Sequence, residues 1–219
     1  MRKLFSFLLI FSLIIQIAPA RAANKSVTFI AEVWADNWFA LYINGKLVGE
    51  DSVPITTERS FNSEQITFKA TYPLTIGLIG KDFKENDSGL EYIGSNRQQI
   101  GDGGVILQIR ESKSGRVVVT TGKKWKVLAI QQAPLNSECV KSTDPIRDCK
   151  SVEKLIPATW FKSTYSDSGW PFAREYSESE VGVKDGYLDI DWDQKAKLIW
   201  GADLKVDNTL LFRYKVSGK

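Results

Sequence analysis

The chain has no histidine, one methionine and two cysteines among 219 residues. Without an imidazole, serine–histidine and cysteine–histidine nucleophilic mechanisms and histidine-ligated zinc are excluded. Glycoside hydrolysis by a carboxylate pair needs only Asp and Glu at a fixed separation. The 26 acidic residues offer many chance candidates and no distinguished pair. No catalytic residue is assigned, and the expectation is a protein that is not an enzyme. No Lys/Arg run interleaves with the aromatic residues, so the electrostatic footprint of a nucleic-acid binder is missing too. There is no internal repeat and no linker that would divide the chain.

The one long apolar run lies at the amino terminus. Arg2 and Lys3 precede Leu4 to Ile15, interrupted only by serines, and small residues follow in Ala18-Pro19-Ala20-Arg21-Ala22-Ala23. That three-part pattern is a secretory signal, and the run is shorter than the roughly 20 apolar residues a membrane span requires. The expectation is a signal peptide over 1–22, cleaved after Ala22, with cleavage after Ala20 as the alternative. A single domain over 23–219 would remain, secreted or periplasmic, with no transmembrane segment. The formal net charge of +3 falls to near neutral once the basic residues of the signal are removed. An even cysteine count in an exported chain favours a Cys139–Cys149 disulfide. Closing so short a loop stabilises by about 2.5–3 kcal/mol in the chain-entropy model.

A period of two dominates the rest, and no long stretch keeps helical spacing. Val27 to Ala31 reads as a strand. Phe39, Leu41 and Ile43 alternate with Trp38, Ala40 and Tyr42, and Asn44-Gly45 supplies the positive-φ turn of a hairpin into Lys46-Leu47-Val48. Further strands are expected at Gln65–Phe68, Leu74–Ile79, Val105–Ile109, Val117–Thr120, Lys197–Trp200 and Thr209–Tyr214, with Ser114-Gly115 as a second hairpin turn. Many short strands between turn signals indicate an all-β sandwich or barrel. Two longer segments, Lys81 to Gly104 and Pro134 to Asp193, carry aromatics and turn residues and are expected to be ordered loops.

Seven tryptophans and eleven phenylalanines concentrate in a few phrases. Ala35, Asp36, Asn44, Gly45 and Lys46 frame the first, Trp160, Asp167, Ser168, Trp170 and Pro171 the second, and Arg213 closes the last strand. At these positions the chain resembles the galactose-binding-like jelly-roll module that accompanies catalytic domains in rhamnosidases and β-galactosidase-type glycosidases. The resemblance implies a galactose-binding-like jelly-roll β-sandwich acting as a carbohydrate-binding or surface-adhesion module. The rival reading is a structural or protein-interaction domain without sugar binding. The chain departs from the glycosidases in carrying no catalytic domain, and in having Ser166-Asp167 where two acidic residues usually precede the serine.

Trp125, Trp170, Trp200 and Phe212 lie in apolar strands or anchor loops, as core residues do. Trp34 and Trp38 flank Ala35-Asp36-Asn37 at a turn, and Trp160 lies with Tyr165 in the later excursion. Aromatic rings can stack on a sugar while Asp or Asn binds its hydroxyls. Trp34, Asp36, Asn37 and Trp38 are therefore the candidate ligand-binding residues, for a glycan or cell-surface polysaccharide. No cofactor is required on this reading. A structural calcium would find carboxylates at Asp185, Asp189, Asp191 and Asp193, three of which share a face if the segment is extended. That segment lacks the glycine and terminal glutamate of an EF-hand. Gly101-Asp102-Gly103-Gly104 precedes a strand and lacks the lysine of a phosphate loop, so a tight turn is its expected role.

Overall fold

The computed structural model describes residues 25–217. The expected signal peptide lies outside them. Fourteen strands run through the described residues: β1 (Val27–Asp36), β2 (Trp38–Ile43), β3 (Lys46–Glu50), β4 (Asn62–Ala70), β5 (Leu74–Lys81), β6 (Leu90–Glu91), β7 (Gln99–Ile100), β8 (Gly104–Glu111), β9 (Val117–Thr120), β10 (Lys126–Gln132), β11 (Val152–Glu153), β12 (Arg174–Tyr176), β13 (Leu198–Trp200) and β14 (Asp207–Val216). One sheet is ordered β12-β13-β8-β1-β4, with β9 also paired to β8. The other is β11-β10-β14-β5-β2-β3, and β6 and β7 form a separate hairpin. All named pairings are antiparallel. This is an all-β sandwich.

Alternation supplies the core. Phe29, Ala31, Val33 and Ala35 of β1 meet Leu107 and Ile109 of β8, and across the gap Phe39, Leu41, Ile76, Leu78 and Phe212. The turns behave as the sequence implies, Asn44 and Gly45 both having positive φ at 51° and 83°. Strand β10 carries no clean alternation and is not expected from sequence; it is held by pairing to β14 through two register shifts.

Two stretches of the region 134–197 explain where the aromatics go. Residues of the 177–197 segment cover the outer face of the β1 sheet, where Trp34, Ile106 and Leu198 pack with Phe61, Val181 and Tyr187. Trp160 and Trp170 cover the outer face of the other sheet with Ile130 and Leu211. Each sheet is thus covered over part of its outer face as well, so Glu32, Trp34 and Asp36, between the core positions of β1, are buried too. Trp125, Trp170, Trp200 and Phe212 are all buried, as expected of core residues.

Arg213 fixes the second of these stretches. Its side chain is fully buried; its Nε donates to Asp167 Oδ2 at 2.8 Å, Nη1 donates to the Trp160 carbonyl and Nη2 to that of Lys162 at 3.2 Å. The residues of two separate phrases in the sequence therefore meet in one latch. The start of the same region is stapled by the Cys139–Cys149 disulfide, with S–S 2.04 Å. Two single-turn helices, α1 (Pro145–Asp148) and α2 (Glu178–Val181), complete the chain; α2 carries a Ser177/Glu180 capping box.

Candidate functional site: an acidic end of the sandwich

Strand β1 ends at Asp36 and β5 at Lys81, so Asp36 and Asp82 arrive at the same end of the sandwich, where Asn37 N donates to the Lys81 carbonyl at 2.7 Å. The β6–β7 hairpin brings Glu91 to this end, and the segment before β8 brings Asp102. Asp36, Asp82 and Glu91 are 2%, 3% and 4% exposed; Asp102 is half-buried and forms the side toward solvent.

Glycines let these groups approach. A Cβ on Gly101 would stand 2.6 Å from Asp82 Oδ2 and 3.4 Å from Glu91 Oε1, and one on Gly103 would collide with the Trp200 indole. The Gly101–Gly104 segment is thus built for close backbone approach. It does not form the tight turn expected from its composition: residues 101–103 have no turn and none of its glycines has positive φ. Asp102 is the one side chain it presents.

The carboxylates lack compensation. Neither oxygen of Asp82 has a hydrogen-bond partner, nor has Asp36 Oδ2. Glu91 Oε2 accepts from Gln99 Nε2 at 2.9 Å. Burial pushes the Asp82 carboxyl well above the usual carboxylate range, and repulsion from Asp36, Glu91 and Asp102 adds to it, against a smaller opposing pull from the nearby Phe83 amide. Asp36 is raised in the same way, by burial and then by Asp102, against a smaller opposing pull from Lys184. Glu91 and Asp102 are also raised, burial being the largest cause for each. Lys184 and Lys205 attract Asp102, and among the described residues neither forms an ion pair with the cluster. Buried charges without partners cost several kcal/mol each, so the group must hold protons or meet a cation. Among the described residues no group of three or more Asp, Glu or Cys side chains is placed to hold a metal ion, so a cation would have to draw these carboxylates together.

Asn37 ties the rim together. Its Oδ1 accepts from Phe83 N at 2.6 Å and its Nδ2 donates to the Glu58 carbonyl at 3.1 Å. Burial and then the neighbouring Glu58 carboxylate push the Tyr92 hydroxyl up, and the Arg97 guanidinium lies 4.1 Å over the Tyr92 ring. Trp38 is half-buried with Lys81 Nζ 4.6 Å over its ring.

Of the four residues singled out for ligand binding, the structure brings Asp36 and Asn37 to this end and leaves Trp38 beside it. Trp34 is elsewhere and fully buried: it stacks on Phe61, meets Tyr187 edge-on and donates from Nε1 to the Asp185 carbonyl at 2.9 Å. Its ring serves to hold the covering loop. Trp160 is likewise buried, against Tyr42 and Phe161.

Asp185, Asp189 and Asp191 are exposed and Asp193 is half-buried. The segment is not extended, because Tyr187–Asp189 forms a 3-10 turn, so the alternation that would have set three carboxylates on one face does not arise. Backbone atoms do the work there: Gln108 Nε2 donates to the Asp191 carbonyl, and Asp193 N donates to Gln108 Oε1 at 2.6 Å. Asp82, Glu91 and Asp102 escaped sequence reasoning, since they are 9 to 20 residues apart with no shared motif. Comparison with protein-family models, with curated proteins and with solved structures finds no match for this chain.

Proposed function

We propose that the protein is an exported, non-catalytic carbohydrate-binding or surface-adhesion module of the galactose-binding-like jelly-roll type, with a calcium-assisted glycan site at its acidic end. The observation that carries this reading is the buried Asp82 carboxylate, with both oxygens unpartnered, facing Asp36, Glu91 and Asp102. Calcium takes six to eight oxygen ligands in flexible geometry, which suits a set of carboxylates that must draw together around it. Asp36, Asp82 and Glu91 are too deeply enclosed to touch a sugar themselves. Asp102 at the mouth, with Trp38 and Tyr92 on the rim, offers the polar and aromatic contacts that sugars use. Latching of Trp160 and Asp167 by Arg213 supports the jelly-roll assignment, because it gives the shared phrases one structural purpose.

A glycan array probed in calcium and again in chelator tests the reading. The expected result is binding to a defined set of glycans that disappears with calcium; equal signals under both conditions would remove the ion from the site. One observation favours the rival protein-interaction reading: the stapled excursion exposes Leu135, Ile146, Leu155 and Ile156, Leu155 at 95%. Glycan-independent capture of a protein through that excursion would support it.

A further inference from the structure

A second site stands apart from the acidic end, along the edge of the sandwich beside β9. A cavity of about 530 Å3 lies there, and it adjoins one of about 200 Å3 through shared lining by Thr120, Lys195 and Tyr214. Together they form a continuous furrow of the size that holds small-molecule or oligomeric ligands.

The furrow carries a net positive charge, four lysines against the two carboxylates Glu175 and Asp193. Lys123, Lys124, Lys195 and Lys197 line the larger cavity, and all four are exposed. Among the described residues none of their ammonium groups makes an ion pair or a side-chain hydrogen bond. Glu175 is the one acid of that lining, and its Oε1 already accepts from Lys123 N at 2.8 Å. In the smaller cavity Asp193 is engaged in the same way, accepting from Lys195 N at 2.9 Å. The whole chain carries a formal charge of only +3, so four ammonium groups without ion pairs, against two carboxylates bonded to backbone amides, are a local excess of positive charge. Several lysines around a low-dielectric wall focus the field on an anion.

The furrow also has an aromatic wall. Tyr214 is half-buried, lines both cavities and stacks on Trp125 at 5.4 Å with the rings nearly parallel. The Trp125 indole is itself fixed by donating to the Thr120 carbonyl at 2.9 Å. A ring held by Trp125 beside a threonine hydroxyl and exposed ammonium groups suits a saccharide bearing negative charge. The ring packs on the sugar, the hydroxyl and amide groups meet its hydroxyls, and the lysines meet its acid groups. Runs of stacked bases would need further exposed rings, and the furrow has one.

We propose that this furrow binds an acidic polysaccharide, one bearing carboxylate or sulfate groups along the chain. The site is independent of the acidic end, which would repel such a ligand.

The experiment measures binding of the protein to polygalacturonate, to dextran sulfate, to neutral dextran and to a DNA duplex by calorimetry at low and at physiological salt. It is repeated on Lys123→Gln/Lys124→Gln/Lys195→Gln/Lys197→Gln and on Tyr214→Ala. The expected result is binding to at least one acidic polysaccharide and none to dextran, weakened tenfold or more in the quadruple variant and weakened with rising salt. The preferred arm tells whether carboxylate or sulfate is recognised. Tyr214→Ala is expected to reduce polysaccharide affinity more than its salt dependence. Thermal melting confirms folding of both variants, and the exposed lysines make the quadruple variant the safer reporter. Undiminished affinity in the quadruple variant, no binding to either acidic polymer, or equal affinity for DNA overturns the proposal. Calcium-dependent melting measured on the same quadruple variant is expected to match the parent, so failure here is distinguishable from failure at the acidic end.

Discussion

Asp82→Asn is the most informative single change, because it removes one charge and almost no volume from the centre of the acidic cluster. In chelator, a carboxyl whose folded pKa lies above its unfolded value binds more protons in the native state. Its stabilising share is complete below the unfolded pKa, near 3.8, and is lost as pH rises through the raised folded pKa. The parent should therefore lose stability from pH 4 upward, and Asp82→Asn should lose less, ending more stable than the parent at pH 8. Asp51, pushed up to about 6 by burial, adds a decline of the same sign in both proteins, so the difference between them carries the test. Calcium should reverse the order. An ion at one hundred times its dissociation constant stabilises the native parent by about 2.7 kcal/mol. For a domain of this length that is a rise of about 5–11 °C in melting temperature, at about 2–4 °C per kcal/mol. The variant, one ligand short, should gain much less. Differential scanning calorimetry at pH 5 and 8, with chelator and with 10 mM calcium as conditions, reads all of this. Parent and variant melting alike in every condition would refute the reasoning, because the cluster would then hold neither an ion nor a strained charge.

Three further outcomes follow from the packing. Trp34→Ala should destabilise by about 3–5 kcal/mol in chemical denaturation, while Trp38→Ala should cost far less, since Trp38 is half-buried; equal costs would mean the covering loop does not rest on Trp34. Asp167→Ala leaves the fully buried Arg213 guanidinium short of its carboxylate and should cost about 3–5 kcal/mol, less whatever solvent screening reaches the partly exposed aspartate; a change under 0.5 kcal/mol would show that the carbonyls alone hold the arginine. Reduction of Cys139–Cys149 should lower stability by about 2.5–3 kcal/mol without altering glycan binding, and loss of binding on reduction would place the stapled excursion in the site.

The period of two in β1, β2, β5, β8 and β14, the Asn44-Gly45 turn and the even cysteine count made the all-β sandwich and its disulfide legible in the sequence. These are local signals, since alternation and turn chemistry depend on neighbours a few residues away. The position of Asp36 and Asn37, where β1 gives way to β2, was legible for the same reason. What alternation cannot report is a second layer. Trp34 sits at a position that faces outward from the sheet, and only the 177–197 segment, far away in sequence, converts that face into a core. The acidic end depends on the same kind of information: Asp82 follows one strand, Glu91 lies in a hairpin and Asp102 sits among glycines, and none carries a mark that predicts the others. Their meeting is set by which strand ends share an end of the sandwich and by how closely Gly101 lets the backbone approach Asp82. The furrow beside β9 is likewise tertiary, since it joins lysines 71 to 74 residues apart around a tyrosine of the last strand. Local chemistry thus determined the elements, while long-range packing decided which aromatic rings are enclosed and which charges must share a space.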